Sequence, residues 1–214
     1  MAFDVEACKQ PGDLHRVTLV KYQQPIYSRY SFKQKISTFV VANARTRTEQ
    51  LILEFTGLCK SLAQTIHPFS LHLALMFDII SAKGDPMENN LKTLLSIEKQ
   101  ILNGNLIAMK LVEELGNYSQ ELHVLSRDMI ILEQHNDRDL SNVRNLLNDM
   151  GRLEKEANKL GEEYAIDRSL HDQTSDGLLC LQDFCIDRDR RLKNRKQRVQ
   201  NLMALVRHIP IDEN

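Results

Sequence analysis

The sequence predicts an all-α protein, an elongated coiled coil or helical bundle with a short irregular N-terminal segment. Three observations carry that prediction. From Leu94 to Ile209 a single seven-residue register runs without insertion or deletion. With Leu94 as position a and Ile97 as position d, 15 of 17 a sites and 11 of 17 d sites are apolar, against roughly 14 of the 34 expected at 42% apolar content. This is the best of seven frames, which enlarges the excess without creating it. No proline interrupts the 123 residues between Pro86 and Pro210. The chain also has no Trp, 6% aromatics and only 8 Gly, a composition poor in the side chains that fill globular cores. A straight helix drifts by about 20° per heptad, so a register held this long implies supercoiling.

Prolines at 11, 25, 68, 86 and 210 divide the chain. Residues 1–30 read as irregular, with a strand-like piece around Val17–Tyr22. Tyr22, Tyr27, Tyr30 and Phe32 cluster around Pro25, as side chains packing on a core or as a docking peptide. Residues 31–85 read as a helical head. Its first helix spans about Ser31 to Ile66: Phe32, Ile36, Phe39 and Val40 recur at helical spacing, as do Leu51, Phe55, Leu58, Leu62 and Ile66. Thr46 and Glu49 have the spacing of a capping box and mark a restart within it. Pro68 stops that helix, because its ring clashes with a continuing helix and restricts His67. Ser70–Ser81 reads as a short, almost wholly buried helix. Gly84-Asp85-Pro86 is a turn, with Pro86 suited to the first turn of the next helix.

Residues 86–209 form the heptad region. As one helix it would be about 185 Å long at 1.5 Å per residue. Three weak points interrupt the seam: Asn103-Gly104-Asn105, residues 134–141 with Asn136 and Asp139 in core sites, and residues 167–177 with Asp167, His171 and Thr174 there. The expectation is at least one reversal, near 134–141 or 167–177.

The seam is the first candidate binding surface. It comprises Leu94, Ile101, Leu111, Leu115, Leu122, Leu125, Met129, Leu132, Val143, Leu146, Met150, Leu153 and Leu160. The g sites alongside hold Glu114, Glu121, Asp128, Asp149, Glu156 and Glu163, while the e sites from Val112 to Gly161 offer no opposite charge. A parallel homodimer sets g against e, so a hetero-oligomer or a bundle of three or more helices fits better, unless the acidic row is a solvated face. The second candidate is basic: Arg188, Arg190, Arg191, Lys193, Arg195, Lys196 and Arg198 stand within eleven residues. Such a segment suits phosphates, an acidic surface of the tubulin kind or an import receptor, or else it pairs with an acidic partner helix. Too few heptads come after it for a leucine-zipper transcription factor, and it lacks the stacking aromatics of single-strand binders, so nucleic acid is a minor alternative.

Net charge is −1, which implies no global attraction to nucleic acid or membrane. The start, MAFDVEACKQPGD, is acidic where a signal peptide needs an apolar run. Phe69–Ile80 is too short to span a bilayer and contains His72 and Asp78. Cys8, Cys59, Cys180 and Cys185 show neither disulfide nor zinc spacing, as expected of free thiols in a reducing compartment. Neither His67 with His72 nor His171 with Cys180 has metal-ligand spacing. There is no glycine-rich phosphate loop, nucleophile elbow or His-x-x-x-His pair. The reading is therefore non-enzymatic, without cofactor, cytoplasmic and without a membrane partner.

One stretch carries a family resemblance. STFVVANAR at residues 37–45 leads through LILEFTGLCKSLAQTI into His67-Pro68-Phe69, and then into a further helix and about 145 mainly heptad residues. This is similar to the family of the second subunit of the augmin (HAUS) complex, in which a helix ends at a comparable His-Pro-Phe step. The likeness covers about thirty residues and needs a gap before that step. It implies a structural subunit of an all-helical assembly that recruits the γ-tubulin ring complex to existing microtubules. Other coiled-coil subunits and microtubules would then be the partners, and the spindle the location. The alternative is a scaffold or tether in another assembly. A membrane-shaping helical dimer ranks low, because the basic residues cluster near one end.

Overall fold

The computed structural model describes residues 13–20, 24–41, 46–62, 66–82, 84–102 and 108–208. The described chain is predominantly helical. Strands β1 (Asp13–Val20), β2 (Gln24–Ser31) and β3 (Ile36–Val41) precede helices α1 (Thr46–Leu62), α2 (Ser70–Ser81), α3 (Gly84–Leu102), α4 (Ala108–Leu160) and α5 (Arg168–His208). No helix among the described residues is long and apolar enough to cross a membrane. Two compact units emerge: Met1–Ile79 with Ser141–Gln182, and Ile80–Leu140 with Asp183–Asn214. The expected divisions at 30 and 85 keep to chain order, whereas compactness groups distant segments, because α4 and α5 each contribute to both units.

In the first unit, the strands form an antiparallel sheet in the order β1-β2-β3, with Val17 opposite Tyr27 and Tyr27 opposite Val40. The strand-like piece expected around Val17–Tyr22 is met in part by β1, while β2 and β3 correct the irregular structure expected over 24–30 and the helix expected from Ser31. Phe32, Ile36, Phe39 and Val40 satisfy a helical period, but in the structure burial alternates along Ile36–Val41. Four of its six residues are β-branched, and short apolar runs are ambiguous by periodicity alone. Lys35, at φ 53°, takes a left-handed conformation in the turn before β3. The inner face of β3 places Phe39 and Val41 against Leu71 and Leu75 of α2, with Leu51, Ile52 and Phe55 of α1. Its outer face leaves Ile36 and Val40 exposed. Of the aromatic run, Tyr30 and Phe32 meet edge to face at 5.1 Å and Phe32 is buried; Tyr22 and the Tyr27 side chain lie outside the described residues.

Helix α1 starts at Thr46, the anticipated restart, and α2 spans Ser70–Ser81 as expected. The Arg47 guanidinium reaches from α1 to the Asp78 carboxylate on α2, with Nε to Oδ1 at 3.0 Å. Before α2 the His-Pro-Phe step is buried throughout. The His67 carbonyl accepts from Ser70 N–H at 3.0 Å, and its ring Nδ1 accepts from Phe69 N–H at 3.2 Å. That bond places the ring proton on Nε2, which donates to Nδ1 of His171 on α5 at 3.1 Å. Both imidazoles must be neutral for this chain of bonds to close. Gly177 of α5 lies so near Leu73 that a Cβ there would come 2.7 Å from its Cδ2.

The one reversal between α4 and α5 falls at residues 161–167. Gly161 takes φ 110°, a conformation open chiefly to glycine, and a single 3₁₀ turn comes next at Glu162–Tyr164. Asp167 then caps α5, its Oδ1 accepting from Leu170 N–H at 3.1 Å. The expected weak point at 167–177 is thus real only at its first residue. Along this stretch Val143, Leu146, Met150, Leu153 and Ala157 of α4 and Thr174, Leu178 and Leu181 of α5 are buried.

In the second unit α3, α4 and α5 share one core. Leu94 and Ile97 pack with Leu122, Leu125, Met129, Val199 and Leu202, flanked by Ile101, Tyr118, Met203 and Val206. Higher numbers on α4 meet lower numbers on α5, so the two run antiparallel. No reversal occurs at 134–141, where α4 is continuous. The weak point at 103–105 lies outside the described residues.

Two glycines should respond oppositely to substitution. Gly151 on α4 has open space where a Cβ would stand, so Gly151→Ala should stabilise by about 0.5–1 kcal/mol through helix propensity. Gly177→Val should instead destabilise by about 1–3 kcal/mol by overpacking against Leu73; urea titrations read both. The His67 pKa is held down at about 4 by burial and then by His171. Between pH 6.5 and 4 the unfolded chain binds a proton the native chain refuses. Stability should therefore be full above pH 6.5 and fall, by on the order of 3 kcal/mol, as pH drops to about 4. Thermal unfolding across that window should show the loss, and His67→Gln should flatten it.

Candidate interaction surface

Among the residues of α4 and α5 whose side chains are described, every buried one falls on an a or d position of the heptad register. The chain itself provides the cover. Leu94, Leu122, Leu125, Met129, Val143, Leu146, Met150 and Leu153 are at most 4% exposed. Ile101 and Leu132 are half-buried and Leu160 is exposed. The side chains of Leu111 and Leu115 lie outside the described residues. A side chain enclosed this way cannot also face a partner without the helices opening. Eight of the thirteen residues expected to form a partner seam therefore lie in the chain's own core, because a heptad stripe reads the same whether its complement is another molecule or the same chain folded back.

The polar residues at seam positions form a buried layer in the second unit. Asn136 Nδ2 donates to the Cys185 carbonyl oxygen at 2.9 Å. Arg188, 4% exposed, donates from Nη2 to the Ile80 carbonyl oxygen at 3.0 Å. Its Nη1 stands 3.8 Å from Oδ2 of Asp139, itself 3% exposed. Burial pulls the Arg188 pKa down while Cys185 and Asp139 oppose it, and the guanidinium stays charged. The helical spacing that puts Cys185, Arg188 and Leu192 on one face drives this cation into the core, where only a facing carboxylate makes its burial tolerable.

The rest of the basic cluster is engaged nearby. Arg195 Nη1 donates to the Met87 carbonyl oxygen at 2.7 Å, anchoring α5 to α3. Lys196 pairs with Glu133 of α4 at 2.7 Å, and Arg198 with Glu98 of α3. Arg191 and Lys193 pair along α5 with Asp187 and Asp189. Arg190 alone among the seven is exposed with no charged partner among the described residues. The segment expected to present a free basic surface is mostly a set of clamps onto α2, α3 and α4. On the acidic row, Asp149 pairs with Arg152 and Glu156 with Lys159 along α4 itself, as a solvated face would.

The exposed apolar side chains are what heptad reasoning passes over. Val124, Ile130 and Ile131 of α4 are 41–44% exposed, Leu95 of α3 is 47% exposed and Phe184 of α5 is 52% exposed. All occupy b, c or g positions. In the first unit Leu53, Leu58 and Phe77 are more exposed still. Their signal is present in the sequence, as apolar residues at heptad positions that ought to be polar. Of the cysteines whose side chains are described, Cys180 is exposed, Cys185 is buried and both are free thiols.

Asp139→Leu should cost about 3–5 kcal/mol, because it leaves the Arg188 charge buried without its counterion. Adding Arg188→Met should recover much of that loss. Chemical denaturation of the wild type and the three variants measures the coupling.

Compared with known proteins, the chain matches no family model, no curated protein and no solved structure.

Proposed function

We propose that this chain is a non-enzymatic structural subunit of a hetero-oligomer built from helical proteins. One observation carries the reading. With much of its own seam filled, the chain still turns large apolar side chains to solvent on every helix, and on α4 at a spacing of seven. Val124 and Ile131 stand seven residues apart on α4 with Ile130 beside them, so they share one face two turns apart. Singly exposed apolar residues are ordinary, but a stripe along a helix marks a surface for another protein. A partner helix laid there would extend the heptad packing, and the coiled-coil reading belongs to that assembled state.

The likeness around His67-Pro68-Phe69 adds the finer part of the proposal: an augmin-like, spindle-associated assembly that supports nucleation of microtubules from existing ones. The buried His-Pro-Phe step is consistent with a fixed element of such a subunit. A nucleic-acid role draws less support, since six of the seven basic residues already have partners within the chain.

The test is affinity purification of the tagged chain from its own cells, with mass spectrometry. A constant set of helical proteins should come with it, and Val124→Asp with Ile131→Asp should lose that set while the circular dichroism spectrum stays helical. The purified assembly, not the lone chain, should sediment with microtubules. A chain recovered alone as a stable monomer would falsify the subunit reading; an assembly that ignores microtubules would remove its spindle part.

A further inference from the structure

Arg195 holds a positive charge that its own contacts do not neutralise. It is half-buried on α5, and its hydrogen bond runs to the Met87 carbonyl oxygen, an acceptor without net charge. Burial, foremost, and then the neighbouring Arg191 and Arg198 pull its pKa down, against the opposing pull of Glu88. Among the described residues its only hydrogen bond is the one to Met87, which engages one of the guanidinium's five donors. Beside it opens a cavity of about 200 Å³, lined by Met87, Glu88, Phe184, Asp187, Arg188 and Arg191 among others. The Arg188 guanidinium lies 4.9 Å from the centre of the Phe184 ring, whose surface is 52% exposed. Arg191 reaches the same cavity from an exposed pair with Asp187 one turn away, a contact of the kind that exchanges at little cost.

We propose that this notch between α3 and α5 receives an acidic segment of a protein partner. A partner carboxylate would sit across Arg195 and Arg191, and an adjacent apolar side chain would lie on Phe184. Arginine pairs of this kind favour a planar carboxylate held by two donors. Three arginines line the notch against two carboxylates, Glu88 and Asp187, a small positive excess that one partner carboxylate balances. The volume takes one or two side chains. The proposal rests on the subunit reading above and names the chemistry of one partner contact.

The experiment uses the purified full chain and a short fluorescein-labelled peptide with a leucine flanked by glutamates. Its glutamine counterpart and a single-stranded oligonucleotide serve as controls, all read by anisotropy. The glutamate peptide should bind at least about tenfold more tightly than the glutamine peptide, the difference of a charge-assisted contact. Arg195→Gln should weaken it by a similar factor and Phe184→Ala should weaken it without loss of helicity. Glu88→Gln should tighten it, a gain that misfolding cannot produce. Equal binding of the two peptides, no gain in Glu88→Gln, or tighter binding of the oligonucleotide overturns the proposal. Partners that co-purify undiminished with Arg195→Gln also overturn it while leaving the subunit reading intact. Peptide binding by a chain that brings down no protein sinks the subunit reading alone.

Discussion

The antiparallel closure of α4 on α5 is the constraint on which the second unit depends, and a polar layer fixes its register. Apolar a and d positions by themselves tolerate a slip of one heptad, since leucine meets leucine either way. Asn136 on the Cys185 carbonyl and Arg188 beside Asp139 do not tolerate it. A slipped pairing would leave an amide, a guanidinium and a carboxylate buried without complements, each at a cost of several kcal/mol. Fully buried side chains such as Leu94, Leu122 and Val199 supply the bulk of the stabilisation, at about 1.5–3 kcal/mol apiece before chain entropy is set against it. Packing makes the unit stable, and the polar layer makes it one structure.

The uneven charge along the sequence has the same origin. An acid-rich stretch precedes the reversal and a base-rich one comes after it, and in the second unit folding brings parts of both together as Glu133 with Lys196 and Asp139 with Arg188. Near-neutral net charge thus conceals opposite charges that folding brings together in the second unit. Exposed pairs such as Arg191 with Asp187 contribute little to stability individually. Arg188 differs because its environment is dry, so its partner matters more than its number of neighbours.

The first unit works by different means. Its sheet lies on α1 and α2 through Phe39 and Val41, and the buried turn at His67 connects the start of α2 to α5. The buried His67, whose pKa burial holds down, makes that joint sensitive to acid in a way an apolar contact would not be. Gly177 allows α5 to approach Leu73 closely, and a side chain there would have to displace the Leu73 methyls.

Much of the helical part was determined locally. Pro68 and the turn before Pro86 bracket α2, Thr46 begins α1, and the heptad frame names the buried residues described on the two long helices, because backbone geometry and a fixed period need no knowledge of what lies opposite. The strands escaped that logic: Ile36–Val41 carries no alternating pattern in the sequence, and it is packing against Leu71 and Leu75 that gives it an inner face. The site of reversal escaped it too, since Asn136 and Asp139 look like breaks until Cys185 and Arg188 arrive to satisfy them. Which molecule covers the seam was likewise beyond the sequence. Apolar burial carries no direction and no label of origin, so the same stripe serves a partner or its own chain. The tertiary structure decided for the chain, and so moved the exposed surface to positions the heptad had marked as solvent.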